Sequence, residues 1–200
     1  GGAFTTVGGV TMNRIARWDG AGWHPLGTGM NSDIHALTVY GGELIAGGQF
    51  TTAGGVTVNG IARWNGLAWQ SLGTGMSLGA GTGTVYDLIL YGGNLVAGGS
   101  FSAAGGVTVP SGVARWNGSN WQGFGTANVM SSGIRKLAVW NGQLVVGGTF
   151  DGGSFSNFRF IAKWNGTTWL ALGTGLDGSV ASMTVHNNQL YVGGGFSTAG

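Results

Sequence analysis

The chain contains no cysteine. No disulfide framework, thiol nucleophile or thiolate-bound metal is available to it, so stability must come from the core alone. Charge is nearly as scarce. Eight Lys and Arg and six Asp and Glu make up 7% of 200 residues, and the net charge is +2. The basic residues are spread along the chain, with Arg135-Lys136 the only adjacent pair. A nucleic-acid binder clusters Lys and Arg on one face, so no nucleic acid partner is expected. No apolar run approaches the ~18 residues of a membrane span, so no membrane span is expected either. The chain does not begin with Met and shows no signal peptide, so it reads as a processed or excised piece of a longer product. Helical periodicity is also missing, and the density of glycine disfavours helices further.

Glycine is what the chain has in excess, at 45 residues. Such a content without a period would suggest low complexity, but here there is a period. Ile/Val-Ala-Arg/Lys-Trp recurs at Ile15, Ile61, Val113 and Ile161, at spacings of 46, 52 and 48 residues. A Gly-Gly-x-Phe element keeps the same period, ending at Phe4, Phe50, Phe101, Phe150 and Phe196. Strand signals repeating every 40 to 50 residues point to propeller blades.

Each period resolves into four strands. The first runs over His35 to Tyr40 in its first complete copy, and the second over Glu43 to Phe50. The pairs Gly41-Gly42, Gly92-Gly93, Asn141-Gly142 and Asn187-Asn188 join these strands, and all can take positive φ. A loop through Thr51 to Asn59 leads to a third strand at Gly60 and a fourth at Trp69 to Gly73. Asn65-Gly66 between β-prone residues predicts a two-residue type I′ turn. That register pairs Trp64 with Leu67 and Ala62 with Trp69, with both indoles on one face as diagonal neighbours. Arg63 then points to the other face, partly buried against a carbonyl or an aromatic ring.

Two residue sets recur with the hairpin. Arg17, Arg63, Arg115 and Lys163 form either a ring of cations for an acidic ligand or a blade-to-blade clamp, and a repeat-invariant slot favours the clamp. The pairs Trp18/Trp23, Trp64/Trp69, Trp116/Trp121 and Trp164/Trp169 either stack on sugars or form interblade core. Core is favoured, because each buried indole removes roughly 150–250 Å² from water.

The apolar run Leu44-Ile45-Ala46-Gly47-Gly48, the third-strand Trp64 and the fourth-strand Trp69 resemble the kelch-type β-propeller repeat. With Trp-Asn-Gly ending the third strand, the chain is more similar to glycine-rich kelch-like repeats of bacterial secreted and surface proteins and fungal cell-surface marker proteins. The resemblance implies an all-β propeller and an extracellular or cell-surface location, and implies no activity. The expected fold is a single array over 1–200 of four-stranded antiparallel blades. Complete blades are expected at approximately 35–73, 84–125 and 134–173, with half-blades at 1–27 and 180–200. The half-blades could meet within one chain or between chains, or the repeats could continue beyond this window.

Familiar catalytic and metal motifs are missing. His24, His35 and His186 fall on different strands with no metal-triad spacing. Six carboxylates exist, Asp19, Asp33, Glu43, Asp87, Asp151 and Asp177, and sequence brings no two together as a glycosidase pair. Gly27-Thr28-Gly29 leads into no helix, as a phosphate loop would. The copper oxidases built on kelch-type propellers need a Cys-Tyr link, and Asp19-Gly20 resembles a sialidase Asp-box only loosely. Asn117-Gly118-Ser119 and Asn165-Gly166-Thr167 have the form of glycosylation sequons, although the turn demands the same Asn-Gly. No catalytic residue, cofactor or metal is therefore expected.

Comparison among copies within the chain directs attention elsewhere. Positions alike in every repeat are scaffold, and positions that differ are free to serve function. The first strand opens with His35, Tyr86, Arg135 and Ala181, then Ala36, Asp87, Lys136 and Ser182. The connection over Ser77 to Thr84 is lengthened, and the loop after Phe150 carries Phe155, Phe158 and Arg159. In a propeller these positions share one face. His35, Tyr86, Asp87, Arg135, Lys136, Phe155, Phe158 and Arg159 are accordingly the candidate ligand face. The expected function is a non-catalytic interaction scaffold, displaying variable loops to a protein partner or assembling with itself through half-blades. Carbohydrate binding and a hydrolase on the propeller face are the alternatives.

Overall fold

The computed structural model describes residues 1–125, 133–150 and 158–200. Every regular element among them is a β-strand, so no helix there is long and apolar enough to cross a membrane. Three four-stranded antiparallel sheets follow one another. The first comprises Ile34–Tyr40, Glu43–Gly48, Ile61–Trp64 and Trp69–Ser71. The second comprises Thr84–Tyr91, Asn94–Ser100, Val113–Trp116 and Trp121–Gly123. The third comprises Ile134–Trp140, Gln143–Gly148, Ile161–Trp164 and Trp169–Ala171. Strands pair in chain order within each sheet. Hairpins Ala16–Trp18/Trp23–Pro25 and Val180–His186/Gln189–Gly194 flank the three as half-blades. Inner strands of successive blades lie side by side. The half-blades form separate two-stranded sheets and do not hydrogen-bond to each other.

The first-to-second strand turns follow the sequence expectation. Both residues of Gly41-Gly42, Gly92-Gly93, Asn141-Gly142 and Asn187-Asn188 have positive φ, as a type I′ turn requires. The Asn65-Gly66 turn departs from it. Only Gly66 has positive φ, and Trp64 pairs with Trp69, Arg63 with Gln70 and Ala62 with Ser71. The loop therefore holds four residues. The Leu67 and Ala68 amides both donate to the Asn65 side-chain oxygen at 2.9 Å. That carboxamide satisfies two N–H groups that the shorter turn would have placed in the ladder, and it favours the longer loop. The Asn117 and Asn165 side chains accept in the same way, as does Asp19. Trp64 and Trp69 thus face each other directly, with ring centroids 5.3 Å apart.

The second-to-third connections, read from sequence as plain loops, contain small hairpins. Thr52–Ala53 pairs with Val56–Thr57, and Ala103–Ala104 with Val107–Thr108. The lengthened connection forms its own hairpin, Met76–Leu78 with Gly81–Thr82, docked on Ala103–Ala104.

The core lies between blades, as four apolar layers. Phe50, Phe101 and Phe150 of the Gly-Gly-x-Phe element are fully buried. The glycines before them are fixed by close approach. A Cβ on Gly47 would lie 2.6 Å from Val85 Cγ1 of the next blade, and one on Gly48 would lie 2.1 Å from the Asp33 carbonyl oxygen of its own. The outer-strand indoles join the layers. Trp69 donates to the Leu26 carbonyl at 2.9 Å, Trp121 to Leu72 at 3.0 Å and Trp169 to Phe124 at 3.2 Å, each acceptor one repeat earlier. Trp121 is 3% exposed, whereas Trp18 and Trp23 of the first half-blade are 52% and 50% exposed. An indole at this position is buried only when a preceding blade lies against it.

Candidate functional site

Each inner strand opens on a β-bulge. Ile34 pairs with Gly48 and Ala36 with Gly47, which leaves His35 as the extra residue. Tyr86, Arg135 and Ala181 are extra in the same way. A bulge twists its strand and re-aims the unpaired side chain. Four of the positions that vary among otherwise similar repeats are therefore bulged residues, repeated blade by blade.

Three of them touch. The His35 and Tyr86 rings lie 5.4 Å apart at 35°, and the Arg135 guanidinium carbon sits 4.0 Å from the Tyr86 ring centroid. The tyrosine is held between an imidazole and a cation, an arrangement favoured by the ring quadrupole. At the fourth bulge Ala181 leaves space, and a cavity of about 410 Å³ opens there, walled by His35, Tyr86, Arg135, Lys136, Ser179 and Ala181 among others. Burial pushes the His35 pKa down, the Asp33 charge opposes this and the Arg135 charge adds to it.

Asp87 belongs to a different structure. Its Oδ1 accepts from the Leu88 amide at 3.0 Å, and its Oδ2 from the Leu137 amide of the next blade at 2.9 Å. Burial raises its pKa, against the Leu137 hydrogen bond and the Lys136 charge. It is a tie between blades rather than an open carboxylate on the ligand face. Asp33 is also engaged, 3.2 Å from Arg14 Nη1.

The loop after Phe150 is placed in part. Phe155 lies outside the described residues. Phe158 packs against the core layer between the second and third blades, so it is not a free tip. Arg159 is exposed and its carbonyl accepts from Leu176.

The repeated cations do not act alike. Arg63 Nη1 lies 3.4 Å from Glu43 Oε2, and its Nε is buried without a partner. Arg115 donates to Gln122 at 3.2 Å and lies 5.5 Å from the Phe124 centroid. Arg17 is exposed and Lys163 half-buried. Among the repeated indoles, Trp69, Trp116, Trp121, Trp164 and Trp169 are buried, and Trp64 packs against its core layer from a half-buried position. Asp19 also serves its turn. The Ala21 and Gly22 amides hold its pKa at about 2, and His24 Nε2 stands 2.6 Å away. Among the described residues no three His, Asp or Glu side chains are grouped as a metal site.

Two further cavities are present. One of about 410 Å³ separates the second and third blades near Tyr91, Arg115 and Trp164. The other, about 590 Å³, lies on the C-terminal half-blade between Leu172, Leu190 and Phe196.

No protein-family model matches the chain, and no curated protein matches it. Solved structures do. The computationally designed Ika4 protein aligns with a TM-score of 0.51 at 17% identity, over 84% of this chain and 88% of that one. Its likeness concerns the fold. The fold is a β-propeller. The computationally designed Ika8 protein aligns with a TM-score of 0.49 at 16% identity, over 83% of this chain, which spans 44% of its length. An ancestral GH74 enzyme aligns with a TM-score of 0.45 at 16% identity, over 86% of this chain and 26% of that one.

Proposed function

We propose that this propeller is a non-catalytic, extracellular interaction scaffold of the kelch-like kind, which presents the bulged residues of its inner strands to a protein partner. One observation carries the reading. The repeats agree at core and turn positions but differ at the bulges, and His35, Tyr86 and Arg135 nevertheless converge into one stack. A fold that only filled space would have no use for unlike residues that meet at the equivalent bulges of successive blades. Asp33 and Asp87, the acids nearest this face, are bound to Arg14 and to backbone amides, which favours binding over acid–base chemistry. The glycine-rich kelch-like resemblance supports the extracellular setting.

A panel of purified extracellular proteins and a glycan array tests the reading, using the chain and its His35→Ala/Tyr86→Ala/Arg135→Ala variant at equal Tm. Protein ligands lost by the variant are the expected result. Ligands retained undiminished by the variant, or glycans alone lost by it, would refute it.

A second reading has its own observation. Trp18 and Trp23 stand half-exposed, and the Leu172–Phe196 groove occupies the place where, between complete blades, such a hairpin is buried. Self-assembly through these surfaces predicts a mass above that of one chain in light scattering. A strictly monomeric species would remove it.

A further inference from the structure

Resting on the binding-face reading, we infer that the cavity beside Arg135 takes the carboxylate of an acidic peptide. The cavity exists because the fourth bulge carries Ala181 where the other three carry His35, Tyr86 and Arg135. Its wall includes the His35, Tyr86 and Arg135 stack together with Lys136, so a ligand meets the guanidinium beside the tyrosine.

Charge in this mouth is one-sided. Arg135 makes no hydrogen bond and no ion pair among the described residues, and Lys136 stands beside it on the wall. The acids in reach are already committed, Asp87 to the Leu88 and Leu137 amides and Asp33 to Arg14. The guanidinium carbon lies 4.0 Å from the Tyr86 ring centroid, and this contact uses none of its N–H groups as hydrogen-bond donors to oxygen. Those groups form a planar fork matched to a carboxylate, and an ionised acceptor gives the stronger class of hydrogen bond. The Ser179 hydroxyl adds an uncharged donor, while that of Thr149 donates to the Gly133 carbonyl.

The shape selects the carrier of the carboxylate. A pyranose stacks on an open aromatic face, but the Arg135 guanidinium and the His35 ring already lie against the Tyr86 ring. Val180 and Ala181 instead supply apolar wall, suited to the methylenes of a glutamate side chain. In a chain with eight cations in 200 residues, two free neighbours at a cavity set the local potential. Screening by salt should weaken the attraction.

The test is a titration of the isotope-labelled whole chain with hexaglutamate, followed by NMR. Hexaglutamine and a uronic-acid tetramer are the comparison ligands. Amide shifts centred on Arg135, Lys136 and Ala181 are expected with hexaglutamate only. Arg135→Gln should weaken binding about tenfold or more, and Ala181→Leu, which fills the cavity from an exposed position, should abolish it. Lys163→Gln, outside the site, should change neither. Equal shifts with hexaglutamine would overturn the carboxylate while leaving the binding face in place. Tighter binding of the uronate would overturn the peptide. No shift at these residues with hexaglutamate, or shifts indifferent to Arg135→Gln, would overturn the site itself.

Discussion

Replacing Trp121 with alanine measures how strongly one blade holds the next. The indole is 3% exposed, faces Trp116 at 5.4 Å between centroids, and donates to the Leu72 carbonyl of the preceding blade at 3.0 Å. Loss of a buried Trp side chain costs about 3–5 kcal/mol, and the Leu72 carbonyl keeps the Gly75 amide as a donor at 3.3 Å. At roughly 2–4 °C per kcal/mol for a chain of this size, Tm should fall by about 10–15 °C. Trp121→Phe retains a ring but removes the donor, and should cost ~1–3 kcal/mol. The decisive comparison is Trp23→Ala. Trp23 occupies the same position in its hairpin but is 50% exposed, so only part of its area is lost, at about 1–2 kcal/mol. Thermal melts by circular dichroism, with light scattering to exclude aggregation, give all three values. Equal losses for Trp23→Ala and Trp121→Ala would refute the premise that the neighbouring blade supplies the energy. So would a loss below about 3 °C for Trp121→Ala.

Four other outcomes follow from the geometry. Gly48→Ala should fail to fold, because its Cβ would lie 2.1 Å from a backbone carbonyl. Gly42→Ala meets no atom but strains a positive φ, so it should cost only ~1 kcal/mol in denaturant titration. Asp19→Asn, which copies Asn65, should leave stability at pH 7 unchanged. In the parent, Asp19 is held at about 2 in the fold against about 3.9 unfolded. Its contribution is therefore complete above the unfolded value and disappears as pH falls from about 4 to about 2. Acid titration of the Asn variant should lack that component. Asp87 has the opposite sign. Its folded pKa is raised, so ionisation opposes folding at neutral pH and relief comes as pH falls through the raised value. A carboxyl carbon NMR titration should place its midpoint above the usual aspartate range, and a midpoint below it would contradict the burial.

The period, the first-to-second strand turns and the blade count could be read from the text because each is written in residue types with narrow backbone preferences. Asn141-Gly142 and Asn187-Asn188 admit few conformations other than the one they take. Asn65-Gly66 was ambiguous for a physical reason. Its backbone suits a two-residue turn, but its side chain caps a four-residue one, and the cap wins. Nothing local marks the bulges at His35, Tyr86, Arg135 and Ala181, since one extra residue in a strand leaves the alternation pattern nearly intact. The nearest signal is the Gly-Gly pair opposite, whose second glycine yields to the displaced backbone. Variation among copies singles out candidate residues but cannot separate their places in the fold. Asp87 differs from Ala36 because it ties two blades together, while Tyr86 differs from His35 at the open mouth. Phe158 packs on a core layer, and an aromatic in an irregular loop looks the same in sequence whether it covers a core or grips a partner.

The indole hydrogen bonds have a direction. Trp69, Trp121 and Trp169 all donate backward, to a carbonyl one blade nearer the N-terminus. Gly47 makes room forward, for Val85 of the blade that follows. The array is therefore polar, with a donor end at Trp23 and an acceptor end at Leu172. Two like ends offer each other two donors or two acceptors and cannot mate. Any assembly through these surfaces must therefore join a donor end to an acceptor end. Copies could add only head to tail, giving a closed ring if the rotation per chain divides a full turn and a filament if it does not.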